Sequence, residues 1–597
     1  MSQDAGNARR YVTLCRVLDS LCDEAPSTVP IYHPAAGDQQ KIIQARSRAL
    51  LHLFLKARFG LLNFADRELR VTDGPHDGGI DAYCVNQKTK TIYVLQSKFR
   101  ATPGNFSGNN VSAEDLLKMD VKRIMGGAPK DEQGLFYNTQ IRNGLQKSLQ
   151  KLPDIGSYTT RVVLLGNTRM FTSDQLKKLI DGYHVDQFPH HKVYEELMFP
   201  VINGTYYTEP DLTIEINLSD PHRDFHLNYD VISRYIKSNV KLLFVPTSEI
   251  GRIMSMYKNS ILTYNPRSFL ELKNNIVNKE IESSLKNTQG NEFALFNNGI
   301  TVISDKTSLS SDTGRQGTAQ VVLHNPQLVN GGQTAYTLSH IYEESRDKKI
   351  FKGKEVLLRV ITFVGATGKH QYSKLKLIGD ISKASNSQTK IDESDRRSND
   401  DIQVRLQHKF FEAYGLYYER KRGEFSDGRR YGYVSSDNII NRETLVRVAL
   451  ASEYRANQAR TNVGRFFKAD ELPKLLEIGK LDRYAYGYEV RRLLEAERKA
   501  KPRPRGDRYN TRKYGQGLRY GQYAIVAVCV NLGLKTRKSE QLIVKLILPQ
   551  WKKFEAWAQK KRTNKSYRLD RRSFDFINYY KGATVNADLE AFKFSVR

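Results

Sequence analysis

The stretch DGGIDAYCVNQKTKTIYVLQSKF, residues 77–99, holds two apolar runs separated by a polar turn. In TIYVLQSKF, residues 91–99, successive side chains of a strand alternate faces. Ile92, Val94, Gln96 and Lys98 therefore share one face, and Tyr93, Leu95, Ser97 and Phe99 the other. If NQKTK, residues 86–90, is a hairpin turn, the early end of the first strand meets the late end of the second. Asp81 then comes to Gln96 and Lys98. A carboxylate, an amide oxygen and a lysine at one point suit a divalent cation, for which both oxygens are hard ligands. The lysine would orient or deprotonate a water, or steady charge on a phosphate, while the metal polarises a phosphodiester and acidifies its water. The same residue types also end solvated strands, and Asp after Gly-Gly also marks turns, so spacing alone leaves both readings open.

Outward from this hairpin, the order of elements is α/β. Ile42, Ile43, Ala49, Leu50, Leu53 and Phe54 recur at helical spacing and predict an amphipathic helix over 39–61. After the hairpin come a Gly/Asn-rich loop at 101–110 and helices near 113–124 and 140–151. TRVVLLGN, residues 160–167, reads as a buried strand, followed by a helix at 173–183. A second region begins near residue 240 with VKLLFVPTSEI and continues through the strand-like runs GITVIS, AQVVLHN and KEVLLRVITFV. A third, from about residue 470, is rich in Lys, Arg and Tyr, and its residues 498–523 read as an exposed linker. The expected division is an N-terminal helical segment at 1–38, then domains at 39–235 and 240–465, then a basic, mainly helical region at 466–597.

There are 94 Lys+Arg against 65 Asp+Glu, a net charge of +29, which points to a polyanionic partner, nucleic acid above all. Charge alone does not separate DNA from RNA. Cys15, Cys22, Cys84 and Cys529 form no CxxC pair, so no structural zinc is expected and a reducing cytoplasm fits. MSQDAGNARR carries no apolar leader, and the apolar run at 523–534 is shorter than the roughly 20 residues that span a bilayer. A cytoplasmic protein with no membrane partner is the expectation.

DGGIDAY…YVLQSKF resembles the core motif of the restriction-endonuclease-like nucleases, PD-(D/E)XK, in the variant whose last part reads QxK, here Gln96-Ser97-Lys98. The resemblance implies an N-terminal α/β/α nuclease domain with Mg2+ or Mn2+ as cofactor. It implies Asp81 as main metal ligand, Gln96 as second and Lys98 as catalytic lysine. It further implies an acidic residue from the preceding helix, Glu68, with Asp77 as the alternative. No Pro-Asp pair precedes the strand and glutamine replaces an acid, which implies weaker or manganese-preferring metal binding. Nucleases of this kind often cut as dimers, so a homodimer is one expected arrangement.

In the middle region, LTYNPRSFL, FNNGI, LVNGGQT, ASNSQ and YERKRGE follow one another between residues 240 and 430. Asn-Gly and Gly-Gly pairs mark tight turns, yet the amides are many and buried amides need partners. These motifs, in this order, resemble the abortive-infection phage-resistance (AIPR) proteins, with Gly332 at a position usually small or Cys. The resemblance implies bacterial defence against phage and a mixed α/β AIPR domain. Asn298, Asn330, Gln333, Asn386, Lys421 and Arg422 are the candidate cluster, either for nucleic acid or a nucleotide, or as polar residues that hold the fold or face a partner.

GATGKH, residues 365–370, is too short for a phosphate loop, and DPHRDFH, with His222 and His226, lacks the glutamate of a zinc protease. The C-terminal region interleaves Arg508, Tyr509, Arg512, Lys513, Tyr514, Arg519 and Tyr520, a pattern in which cations neutralise phosphates and rings stack on bases. The expected function is that of a metal-dependent endonuclease, on DNA with RNA as the alternative substrate, in abortive infection with a phage-derived trigger. The rival is a non-catalytic nucleic-acid-binding or phage-sensing protein with a degenerate site, and Gln96 is the feature that favours it.

Overall fold

The computed structural model describes residues 3–87, 89–205, 212–218, 226–233, 236–265, 276–287, 290–310, 319–345, 347–363, 377–378, 380–381, 397–461, 463–468, 470–500, 506–562, 567 and 574–596. The chain divides into two compact units, one of residues 10–385 with 423–434, the other of residues 1–9 with 386–422 and 435–597.

In the first unit, β1 (Ala82–Asn86), β2 (Thr91–Ser97), β3 (Thr159–Leu165) and β4 (His184–Gln187) form one sheet in that order. β1 and β2 are antiparallel, with Ala82 opposite Leu95 and Asn86 opposite Thr91, so the hairpin forms where the polar turn placed it. β2–β3 and β3–β4 are parallel. Ile92 and Val94 of β2 join Val162 and Leu164 of β3 in a cluster with Leu116, Val121, Ile124, Ile141 and Leu176 from the helical segments on that face. The other face is covered by the helix Gln39–Phe59, whose Phe59 and Phe54 rings meet Tyr93 and Phe188 at 5.0 and 5.1 Å. A β-branched strand with apolar residues on both sides requires such double cover.

The same unit holds a second core. β5 (Thr213–Asn217), β6 (His226–Ile232), β7 (Lys237–Pro246), β8 (Ile300–Ser304), β9 (Lys306–Ser310), β10 (Gln320–His324), β11 (Gln327–Asn330) and β12 (Glu355–Phe363) make two sheets, ordered β11-β8-β12-β7-β6 and β5-β10-β9. Ile214, Ile216, Val321 and Leu323 from the small sheet pack with Val302, Val356 and Leu358 from the large one. Ile250, Met254, Ala335 and Leu338, from the helices Thr247–Tyr257 and Gly332–Glu344, complete this core.

The second unit is mainly helical. Its core joins residues of the helices Asp401–Tyr414, Arg442–Ser452, Leu481–Lys499, Gln522–Thr536, Glu540–Ile547 and Trp551–Lys561. Residues 401–422 and 435–465, grouped with the middle region by sequence, belong to this helical unit, whereas 423–434 stay with the first unit. The described part of the 498–523 stretch is packed, with Tyr514 and Leu518 buried in the same cluster, rather than a bare linker. Among the described residues no helix is long and apolar enough to cross a membrane.

Candidate functional site: an acidic cluster at the end of the hairpin

Asp81 directly precedes β1, and its backbone N–H donates to Leu95 O at 2.8 Å, continuing the ladder. Its carboxylate accepts from the Ser97 backbone N–H at 2.6 Å, which fixes it at the end of β2. One ligand oxygen each from Asp73, Asp77 and Asp81 lie within 4.8 Å of one another. Asp73 is drawn in because its N–H and that of Thr72 both donate to Asp81 O, at 3.0 and 2.8 Å. Asp77 accepts from the N–H of Gly79 at 2.8 Å and of Gly74 at 3.1 Å. The loop needs glycine at position 79, where φ is +73° and a Cβ would stand 2.9 Å from Lys118 O.

Charge accumulates here. Burial, opposed by the Ser97 N–H and reinforced by the charges of Asp73 and Asp77, pushes the Asp81 carboxyl up to about 8. Burial also raises Asp77. A cluster whose own carboxylates oppose one another's ionisation is relieved by a cation.

Gln96 is buried. Its Nε2 donates to Asp115 O at 3.2 Å, while its Oε1 is buried without a hydrogen-bond partner. Lys98 Nζ lies 3.0 Å from Asp115 Oδ1. Asp115 is itself fixed by a capping box with Ser112 at the start of the helix Ala113–Leu117. One residue thus holds both side chains that the QxK pattern singled out. Although burial opposes it, the bonds from Lys98 and Ser112 keep the Asp115 carboxyl below its usual range.

Glu68 is engaged elsewhere. Its carboxylate accepts from Tyr32 Oη, from His52 Nε2 at 3.0 Å and from Arg48 Nη2 at 2.8 Å. Burial opposes its ionisation, but these donors outweigh it and hold the carboxyl down at about 2. Arg48 also reaches Asp73, with Nη1 2.9 Å from its backbone O and 3.4 Å from Oδ2.

Sequence reasoning overlooked Asp73, Asp115 and Arg48. Asp73 had a signal, since Asp73, Asp77 and Asp81 recur every fourth residue in TDGPHDGGID. Asp115 and Arg48 had none, because only folding brings their helices to the strand ends.

In the β-rich core, FNNGI and LVNGGQT meet. Asn297 Nδ2 donates to Thr334 Oγ1 at 3.1 Å, and its Oδ1 accepts from the Gly299 N–H. Asn330 Oδ1 accepts from the Gly331 N–H at 2.8 Å. Gly331 has φ +82°, and a Cβ there would stand 2.9 Å from Gly299 O, so the two motifs approach to backbone contact. Asn298 is exposed, and Asn330 and Gln333 are half-buried. Lys421, buried, and Arg422, exposed, belong to the helical unit. Asn386 lies outside the described residues, as do GATGKH and most of DPHRDFH.

In the helical unit Arg512 and Lys513 are exposed on a short helix, Thr511–Tyr514. The guanidinium carbons of Arg498, Arg508 and Arg519 stand 5.6, 5.9 and 5.6 Å from the Tyr509 ring centre. Arg460 and Arg519 stand 5.3 and 4.7 Å from that of Tyr520. These rings, which the sequence pattern offered for stacking on bases, have the protein's own arginines beside them.

A family model described as AIPR protein matches residues 262–477. The match supports the AIPR kinship that the middle motifs implied and spans β8 to β12. No curated protein and no solved structure matches the chain.

Proposed function

We propose that this protein is a divalent-metal-dependent nuclease that hydrolyses phosphodiester bonds of DNA, with RNA the alternative substrate, in AIPR-type abortive infection. The observation that carries the reading is the buried, unpartnered Gln96 Oε1 on the strand that ends at three mutually close carboxylates. An orphaned buried carbonyl is costly, and an acid raised to about 8 by its surroundings is costly when charged. A cation bound by Asp73, Asp77, Asp81 and the Gln96 oxygen would answer both, and the donor set is all oxygen, as Mg2+ and Mn2+ require. When bound, such an ion polarises a phosphodiester and lowers the pKa of water.

The remaining roles belong to the chain. Asp81 holds a proton near neutral pH in the ion-free centre, which an ion would displace. Lys98, held on Asp115, supplies a fixed ammonium beside Asp77 and Asp81 to meet negative charge on a phosphate. The four-stranded sheet with helices on both faces, its hairpin leading, is consistent with a restriction-endonuclease-like domain. The exposed Arg508, Arg512, Lys513 and Arg519 add phosphate contacts in the helical unit.

The test compares wild type with Asp81→Ala and Lys98→Ala on plasmid, single-stranded DNA and RNA, with Mg2+, with Mn2+ and with chelator. Metal-dependent cutting that both substitutions abolish supports the proposal and names the substrate. Binding without cutting by all three proteins under each metal overturns it in favour of a nucleic-acid-binding protein.

A further inference from the structure

Glu68 and Arg48 stand one shell out from the acidic cluster, and their bonds are more complete than a spare ligand's would be. Each nitrogen of Arg48 is used: Nε donates to Tyr32 Oη at 2.8 Å, Nη2 to Glu68 Oε1 at 2.8 Å, and Nη1 to Asp73 O at 2.9 Å. Arg67, fully buried, donates from Nε to His52 Nδ1 at 3.2 Å, so the proton of neutral His52 sits on Nε2 and faces Glu68 Oε2. Tyr32 Oη also donates to that oxygen. Both oxygens of Glu68 are thereby committed to three donors, two of them on the buried residues Tyr32 and His52.

We infer that Glu68 and Arg48 are positioning residues: Arg48 holds Asp73 among the cluster carboxylates, and Glu68 holds Arg48 without itself binding the ion. This rests on the metal-dependent reading above. It differs from what the nuclease resemblance implied, in which Glu68 belongs to the metal site. The physical reason is competition. Recruiting Glu68 to an ion would strip three donors, whereas Asp73 already lies within 4.8 Å of its partner carboxylates. A planar guanidinium that joins two acids fixes distance and orientation together, which a point charge does not.

The experiment is Mn2+ binding by the full chain, read as loss of the free-ion electron-paramagnetic-resonance signal and by calorimetry. Its variants are Arg48→Met, Arg48→Lys, Glu68→Gln, Asp73→Asn and the double variant Arg48→Met/Glu68→Gln. Asp73→Asn and Arg48→Met should each weaken binding about 10-fold or more, the usual cost of losing an outer-shell partner or more. Glu68→Gln should cost less than Asp73→Asn, and Arg48→Lys should recover part of the loss. The double variant should bind no more weakly than Arg48→Met alone, because Glu68 acts only through Arg48.

Additive losses in the double variant, or a Glu68→Gln loss matching that of Asp73→Asn, would overturn the inference by making Glu68 a ligand. Wild-type binding with Arg48→Met unchanged would also overturn it, yet leave the metal centre standing. Should Arg48→Met fail to fold, Arg48→Lys and Glu68→Gln carry the same comparison. A wild-type chain that binds no Mn2+ overturns the metal centre and this inference together.

Discussion

Lys98 Nζ and Asp115 Oδ1 are 3.0 Å apart, and the backbone oxygen of the same Asp115 receives Gln96 Nε2 at 3.2 Å. Asp115→Asn keeps the helix cap and the backbone acceptor but removes the charge partner of the ammonium. It should leave thermal stability within about 1 kcal/mol, since partly exposed ion pairs contribute little. It should nevertheless lower the proposed metal-dependent cleavage about 10-fold or more, the usual cost of removing the partner that orients a working group. Turnover unchanged by Asp115→Asn would dissociate the pair from the chemistry.

The depressed Glu68 carboxyl sets an acid limit. It falls from 4.5 to about 2 on folding, so it stabilises fully above its unfolded value, and that contribution fades as pH drops from about 4.5 through 2. The loss is of order 3 kcal/mol, from roughly 1.4 kcal/mol per unit. Urea unfolding at pH 6 and pH 3 should show Glu68→Gln less sensitive to acid than wild type. Equal sensitivity would count against the Arg48–His52–Tyr32 pocket as the cause.

Asp81 runs the other way. Its carboxyl rises from 3.8 to about 8, so the ionised form opposes folding, and the penalty grows as pH climbs from about 4 to 8. In chelator, Asp81→Asn should melt higher than wild type at pH 8, with the gap closing toward pH 5. Added Mn2+ should raise the wild-type Tm, through binding to the folded state, and not that of the variant. A melting order at pH 8 that favours wild type in chelator would contradict this.

Arg519 is exposed beside Tyr509 and Tyr520, and under the proposed function it would offer its charge to a phosphate. In nucleic-acid binding under chelator, Arg519→Met should weaken all sequences alike and reduce the salt slope by about 1, the value for one lost phosphate contact. Because the rings already carry arginines, removing bases from a single-stranded probe should change affinity little. A strong preference for base-bearing strands would restore the stacking role.

Period-two alternation in residues 91–99 and the polar turn before it placed Gln96 and Lys98 on one face and brought Asp81 to them, because strand geometry is local. The apolar runs later called β3, β8, β10 and β12 were legible from their composition and spacing. The amide motifs announced tight turns, and Gly331 confirms one, but not that Asn297 would be spent on Thr334 and Gly299. The Tyr-Arg pattern near residue 510 read as phosphate neutralisation with base stacking, and sequence did not say that arginines of this chain would lie beside Tyr509 and Tyr520.

Sequence by itself determined the hairpin, the α/β order of the first part and the basic charge, since each follows from spacing or composition, and it carried the AIPR-like middle through the resemblance of its ordered motifs. Only the tertiary structure decided that Asp73 completes the acidic cluster, that Asp115 holds both Gln96 and Lys98, and that Arg48 claims Glu68. The physical reason is that a buried polar group takes whichever partner packing delivers within about 3 Å, and those partners sit on helices whose approach is set by the apolar faces they bury.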